Sequence, residues 1–286
     1  MLNRAMDTSG GGGSGFDLVH GVGRSSWCEM AFRRNSRNPG DTIFAWIFLP
    51  LLLVLALPES SDCSKHEWHS LILSQQWPQT VCLMANETCK VPLPIDYWTI
   101  HGLWPKKNLM CNKTWHFDIK NVEDILNDLE HWWPDLIHLN STRLWKHEWQ
   151  KHGTCAATLE SLNSQKKYFS KALELFKNIN LNSVLEKFNI LPSTKYYKVE
   201  DIENALVSVY RVTPKIQCLF PTQGVSEQTL GQIELCFTKQ FQLLNCREAP
   251  PNIIVSKDDR QRNTYPVLSV CDRNKPVSYP PIQHLY

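Results

Sequence analysis

WKHEWQKHGTC, Trp145 to Cys155, places His147, Glu148, Lys151 and His152 within six residues and ends on Gly-Thr-Cys. Ser141 and Thr142 ahead of it are N-cap residues and Gly153 is a C-terminal stop, so the spacing predicts a helix of about three turns from Thr142 to His152. The nearest metal signature is His-Glu-x-x-His, with histidines four apart on one helical face. Here they are five apart. At about 100° per residue that puts them roughly 140° apart, too far around an α-helix to share one metal. Glu148 and His152 are four apart and Lys151 is three from Glu148, so a carboxyl, an ammonium and an imidazole share a face, with His147 on its flank.

The alternative is a solvated face on which Glu148 forms a weak pair with Lys151 or His152. Two features argue against it. Trp145 and Trp149, also four apart, form a stripe that should bury the helix, and a further histidine lies in an aromatic strand, YWTIHGLW, Tyr97 to Trp104. Two histidines of opposite proton status with a cation between them suit RNA phosphodiester transfer. One neutral imidazole takes the 2′-hydroxyl proton, one imidazolium protonates the departing 5′-oxygen, and Lys or a carboxylic acid stabilises the phosphorane oxygens. DNA lacks that hydroxyl. On the residues alone, a lone histidine in an apolar strand, as His101 is, is more often a hydrogen-bonded core residue than a catalyst, and Trp104 could equally be a core aromatic.

Outward from these segments, Trp68–Trp77 reads as a buried strand and Ile119–Trp133 as an amphipathic helix ended by Pro134. Helices are expected at Ser164–Ile179 and Val199–Tyr210, strands at Lys215–Leu219 and Gln228–Thr238, and loop from Pro250 onward. Strands at both ends with helices between them favour one α+β domain over 62–286, a central antiparallel sheet flanked by helices. The 286 residues carry a formal net charge of +2, so no broad basic field of the duplex-DNA-binding kind is present.

Ile43–Leu57 is an apolar run of about 15 residues after Arg33, Arg34 and Arg37 and before Glu59, Ser60 and Ser61. It is shorter than the roughly 20 residues of a bilayer span, so 42–61 reads as a signal peptide and its cleavage zone. The Gly- and Ser-rich residues 1–41 read as a disordered upstream extension. Cys28 and Cys63 lie before or beside the cleavage zone. Eight cysteines come after it, Cys82, Cys89, Cys111, Cys155, Cys218, Cys236, Cys246 and Cys271, an even set that reads as four disulfides in an oxidising compartment. Sequons at Asn86, Asn112 and Asn140 fit the same secretory route.

IHGLWP (Ile100 to Pro105) and WKHEWQKHGTC closely resemble the two active-site segments of the ribonuclease T2 family. SQQWP (Ser74 to Pro78) and GQIELC (Gly231 to Cys236) look like the same family, and more specifically its animal lysosomal and secreted members. The likeness runs from about His66 to Cys271. It implies an α+β fold and an endoribonuclease that cleaves single-stranded RNA without metal or other cofactor, leaving a 2′,3′-cyclic phosphate and a 5′-hydroxyl. It assigns His152 as base and His101 as acid, Glu148 and Lys151 to the transition state, His147 to phosphate, and Trp104 to stacking on a base. It pairs Cys82 with Cys89, Cys111 with Cys155, Cys218 with Cys271, and Cys236 with Cys246.

Two departures stand out. Lys106 and Lys107 come directly after HGLWP where many members have an acidic residue, and Asn245 is followed by Cys246 and Arg247, which breaks a sequon of related animal members. The expected protein is a lysosomal or extracellular monomer that acts on RNA, not DNA, with no membrane span in the mature chain. The rival readings are a non-catalytic secreted glycoprotein on the same scaffold, which loss of a catalytic histidine would favour, and a zinc hydrolase, which the histidine spacing opposes.

Overall fold

Leu71 and Leu73 alternate with Ile72 and Ser74, and this period-two pattern forms the second strand of a sheet. The computed structural model describes residues 67–85, 91–106, 109–220, 227–246 and 268–284, all within the unit Ser64–Tyr286. The expected extension and signal, Cys28, Cys63, Asn86, Cys89 and Lys107 lie outside the described residues.

The strands are β1 (Leu71–Gln76), β2 (Thr99–Pro105), β3 (Tyr196–Tyr197), β4 (Lys215–Leu219), β5 (Gln228–Phe237), β6 (Leu243–Leu244), β7 (Leu268–Val270) and β8 (Val277–Ser278). Their main order is β2-β1-β5-β4-β7, antiparallel throughout. Among these strands only β8 runs parallel to a neighbour, β5. The tail read as loop therefore contributes two short strands, held by the Cys218–Cys271 bond between β4 and the residue after β7.

The helices are α1 (Pro78–Met84), α2 (Leu126–Trp132), α3 (Arg143–Glu148), α4 (Thr154–Ala156), α5 (Gln165–Asn178), α6 (Leu181–Lys187) and α7 (Val199–Tyr210). A 3-10 segment, Ile119–Ile125, leads into α2, so the expected helix there begins tighter than an α-helix; Asp118 caps it by accepting from the Lys120 N–H. Ser164 caps α5 by accepting from the Lys167 N–H at 3.2 Å. Tyr168, Phe169, Ala172 and Phe176, at three- and four-residue spacing, carry its buried stripe. That stripe joins Leu71, Leu73, Ile100, Leu103, Ile233 and Leu235 from the sheet in one core. Each such large side chain contributes about 1.5–3 kcal/mol on burial.

The expected three-turn helix ending at Gly153 is corrected. α3 passes into a π turn, Trp149–Gly153, and continues as α4. Gly153 has φ −59° and ψ −40°, ordinary right-handed values, so it is no stop. Its missing side chain makes room for an indole instead: a Cβ there would lie within 3.0 Å of the Trp149 ring. Ser141 Oγ, not Thr142, accepts from the Arg143 N–H at 3.1 Å.

Candidate active site

The register of β2 on β1 decides where His101 points. Ser74 pairs with Gly102 and Gln75 with Ile100, which leaves His101 as an extra residue in a β-bulge. The bulge moves the alternation by one, so Ile100 and Leu103, three apart, both enter the core. His101 and Trp104 emerge together on the opposite face, beside Gln232, Glu234, Lys215 and Gln217. The bulged backbone is held from behind. Trp133 Nε1 donates to the His101 carbonyl at 2.9 Å, Trp145 Nε1 to the Trp133 carbonyl at 2.7 Å, and the Tyr168 hydroxyl to the Leu103 carbonyl at 2.7 Å.

α3 and the π turn supply the other half. Because a π turn bonds i to i+5, it admits an additional residue per turn and rotates the side chains on its C-terminal side. The α-helical angle between His147 and His152 therefore does not hold. His147 is exposed but within electrostatic reach of both His101 and His152, as is Lys151. Carbonyls of the turn find other donors: the Met110 N–H bonds the Lys151 carbonyl at 2.8 Å and Thr154 Oγ1 the Gln150 carbonyl at 3.0 Å. The Cys111–Cys155 disulfide ties the same loop to α4.

Trp104 is the hinge between the halves. Its Nε1 donates to Glu148 Oε2 at 2.7 Å. The His101 ring stands edge-on to it at 5.0 Å between centroids, and the His152 ring lies tilted against it at 5.3 Å. The sequence expectation of direct proximity between Glu148 and His152 thus becomes a grouping of Glu148, His101 and His152 around one indole. Gly102 makes this possible, since a Cβ there would come within 3.0 Å of both Trp104 Nε1 and Glu148 Oε2.

Burial separates the protonation states. Glu148 is 1% exposed, and burial pushes its carboxyl up to about 8 against the opposing Trp104 hydrogen bond and Lys151 charge. His152 is 7% exposed; burial, then the charges of Lys151, His147 and His101, hold it down to about 3. Its Nδ1 is buried without a hydrogen-bond partner. For His101 burial also acts downward, opposed by a 2.6 Å hydrogen bond to Gln232 Oε1, with His147 and Lys151 adding to the lowering. His147, although exposed at the surface, is lowered by partial loss of water around its ring and by the charge of Lys151.

Of the remaining expected residues, the structure contains the Cys111–Cys155, Cys218–Cys271 and Cys236–Cys246 bonds. Cys82 is disulfide-bonded, and its expected partner Cys89 lies outside the described residues. Asn112 and Asn140 are exposed. Among the described residues no three His, Cys, Asp or Glu side chains are grouped to hold a metal ion, and no helix is long and apolar enough to cross a membrane. Sequence reasoning did not single out Gln232, Trp133 or Tyr168. Gln232 lay in the quoted GQIELC segment, but nothing in a strand pattern says which buried amide meets a histidine.

Comparison with known proteins identifies the family of the chain. The model of the ribonuclease T2 family matches residues 68–246. Ribonuclease T2-A of Mus musculus is 52% identical over 223 residues, covering 76% of this chain and 84% of that protein. Ribonuclease T2 of Homo sapiens is 50% identical over 238 residues, covering 80% and 91%. The crystal structure of human RNase T2 superposes with a TM-score of 0.62 at 49% identity, covering 75% of this chain and 99% of that one. Family match, identity and shared α+β fold agree: this chain belongs to the ribonuclease T2 family and is an endoribonuclease of the T2 type.

Proposed function

We propose that this endoribonuclease cleaves single-stranded RNA by transphosphorylation, without a metal, leaving a 2′,3′-cyclic phosphate and a new 5′-hydroxyl. The observation that carries this reading is the trio around Trp104, in which a buried carboxyl is held protonated and a buried imidazole neutral at the same pH. His152, neutral through the acid range, takes the 2′-hydroxyl proton as general base. His101 returns a proton to the departing 5′-oxygen. Lowered by burial in the free protein, it gains charge when a phosphate binds, because an adjacent anion favours the imidazolium.

Glu148 acts as a carboxylic acid, donating a hydrogen bond to a phosphorane oxygen, while Lys151 offsets its charge. His147, exposed beside them, binds the phosphate in its protonated form. Trp104 remains partly exposed, and that part of the ring offers a surface on which a splayed base stacks. DNA is excluded as substrate because it has no 2′-hydroxyl. We assign the protein to the secretory route, as a lysosomal or extracellular monomer, from the apolar segment at 43–57, the even cysteine set and the sequons.

The test is His152→Ala. General acid–base contributions predict a loss of at least about a hundredfold in kcat, with the fold retained by circular dichroism. Near-normal cleavage by the folded variant would sink the mechanism.

A further inference from the structure

The polar face behind His101 contains more than a catalytic histidine needs for contact with substrate. Gln232 on β5 meets His101 Nδ1 through Oε1 at 2.6 Å. Its Nε2 donates at 2.7 Å to Gln217 Oε1 and at 2.9 Å to Glu234 Oε1. Glu234, 3% exposed, is held by Lys215 Nζ at 3.1 Å. The chain therefore runs from an ion pair, through one amide, to one imidazole nitrogen.

Both ends of that amide are constrained. Turning the Gln232 side chain over would set its carbonyl oxygen against the Glu234 carboxylate, which is itself an acceptor. With Nε2 committed to Glu234 and Gln217, Oε1 must face His101, and an amide oxygen can only accept. A proton on Nδ1 completes that bond. The other tautomer, with the proton on Nε2, would place two lone pairs 2.6 Å apart.

We propose that Gln232 is a positioning residue that keeps a proton on His101 Nδ1 in both the neutral and the charged imidazole, so that Nε2 alone exchanges protons with RNA. This rests on the acid role assigned to His101 above. Gln232 does not itself touch the reacting atoms; it acts by fixing the tautomer and ring angle of the group that does. The same hydrogen bond opposes the lowering caused by burial, which helps His101 carry its proton in acid. The charges facing His101 are His147, Lys151 and His152 from the helix side and, across Gln232, the Glu234–Lys215 pair.

The test combines nitrogen-15 NMR of the His101 ring, assigned by comparison with a His101→Ala protein, with the kinetics of Gln232→Leu. In the unsubstituted protein Nδ1 should be protonated on both sides of the His101 titration, with Nε2 alone changing. In Gln232→Leu the neutral ring should populate the Nε2–H tautomer and titrate at lower pH. Its kcat should fall about 10- to 100-fold, with KM changed less than about threefold, as for loss of one hydrogen bond to a charged group. A neutral His101 with its proton on Nε2 in the unsubstituted protein overturns the proposal, and so does a Gln232→Leu protein with unchanged titration and kcat. The first measurement needs no variant, so misfolding of Gln232→Leu leaves the proposal decidable. It also needs no RNA: if the protein failed to cleave RNA, the acid role would fall while the tautomer was still determined.

Discussion

Gly102→Ala adds one methyl group to the most crowded point of the site. The new Cβ would stand inside 3.0 Å of Trp104 Nε1, Trp104 Cε2 and Glu148 Oε2, so the indole and the carboxyl cannot both stay. Parting them breaks the 2.7 Å hydrogen bond and leaves a carboxyl that is 1% exposed without that donor. Stranding a buried polar group costs about 1–3 kcal/mol, and overpacking adds about 1–3 kcal/mol. The expected destabilisation is therefore about 2–6 kcal/mol. For a domain of this size, at about 2–4 °C per kcal/mol, Tm should fall by about 4–24 °C. Catalysis should suffer separately at temperatures where the variant is folded, because the displaced indole also contacts the rings of His101 and His152. Urea unfolding and kcat at 15 °C measure the two effects. A Gly102→Ala protein with unchanged midpoint and unchanged kcat would refute the close-packed trio.

Glu148→Gln should change how stability depends on pH. The Glu148 carboxyl, raised from 4.5 to about 8, stabilises fully below about pH 4.5, and its contribution is lost as pH rises toward about 8. Glutamine keeps an acceptor for Trp104 but does not titrate, so the variant should lose less stability than the parent between pH 5 and pH 8; equal losses in urea titrations would contradict the buried neutral acid. His152 has the opposite sign: lowered from 6.5 to about 3, it stabilises fully above about pH 6.5 and loses that contribution as pH falls toward about 3. His152→Ala should accordingly flatten the acid side of the stability curve, read by the same titration. Removing Cys111–Cys155, which spans 44 residues, should cost about 4 kcal/mol from loop closure, against about 3 kcal/mol for Cys236–Cys246, which spans 10. Only the first should also lower kcat, since it fastens the Met110 loop to the catalytic helix; equal activity losses from both would argue against that tether.

The four longer strands β1, β2, β4 and β5 and the long helices α5 and α7 were legible because burial on one face imposes its period on the residues, whereas the short strands β3, β6, β7 and β8 are too brief to show a period. Leu71 and Leu73, or Phe169, Ala172 and Phe176, cannot serve another geometry as well. The bulge at His101 was not legible, because it is a property of pairing: only the register against Ser74 and Gln75 reveals that one residue is extra. The π turn was hidden for a related reason. Gly153 has the composition of a helix stop, and only the indole of Trp149 over it shows why glycine is required inside a continuing helix. His101, Glu148 and His152 could be named from residue chemistry and spacing, but their common neighbour could not. Trp104 joins them by a cross-element hydrogen bond 44 residues long in sequence, which no local pattern encodes.

The most direct test of the mechanism is end-group analysis of mixed-sequence RNA cut by the purified protein in the presence of EDTA from acid to neutral pH. Metal-free attack by the 2′-hydroxyl predicts cyclic phosphate and 5′-hydroxyl ends, formed at undiminished rate with chelator present. Cleavage that stops on chelation, or that leaves 5′-phosphate ends, would contradict it.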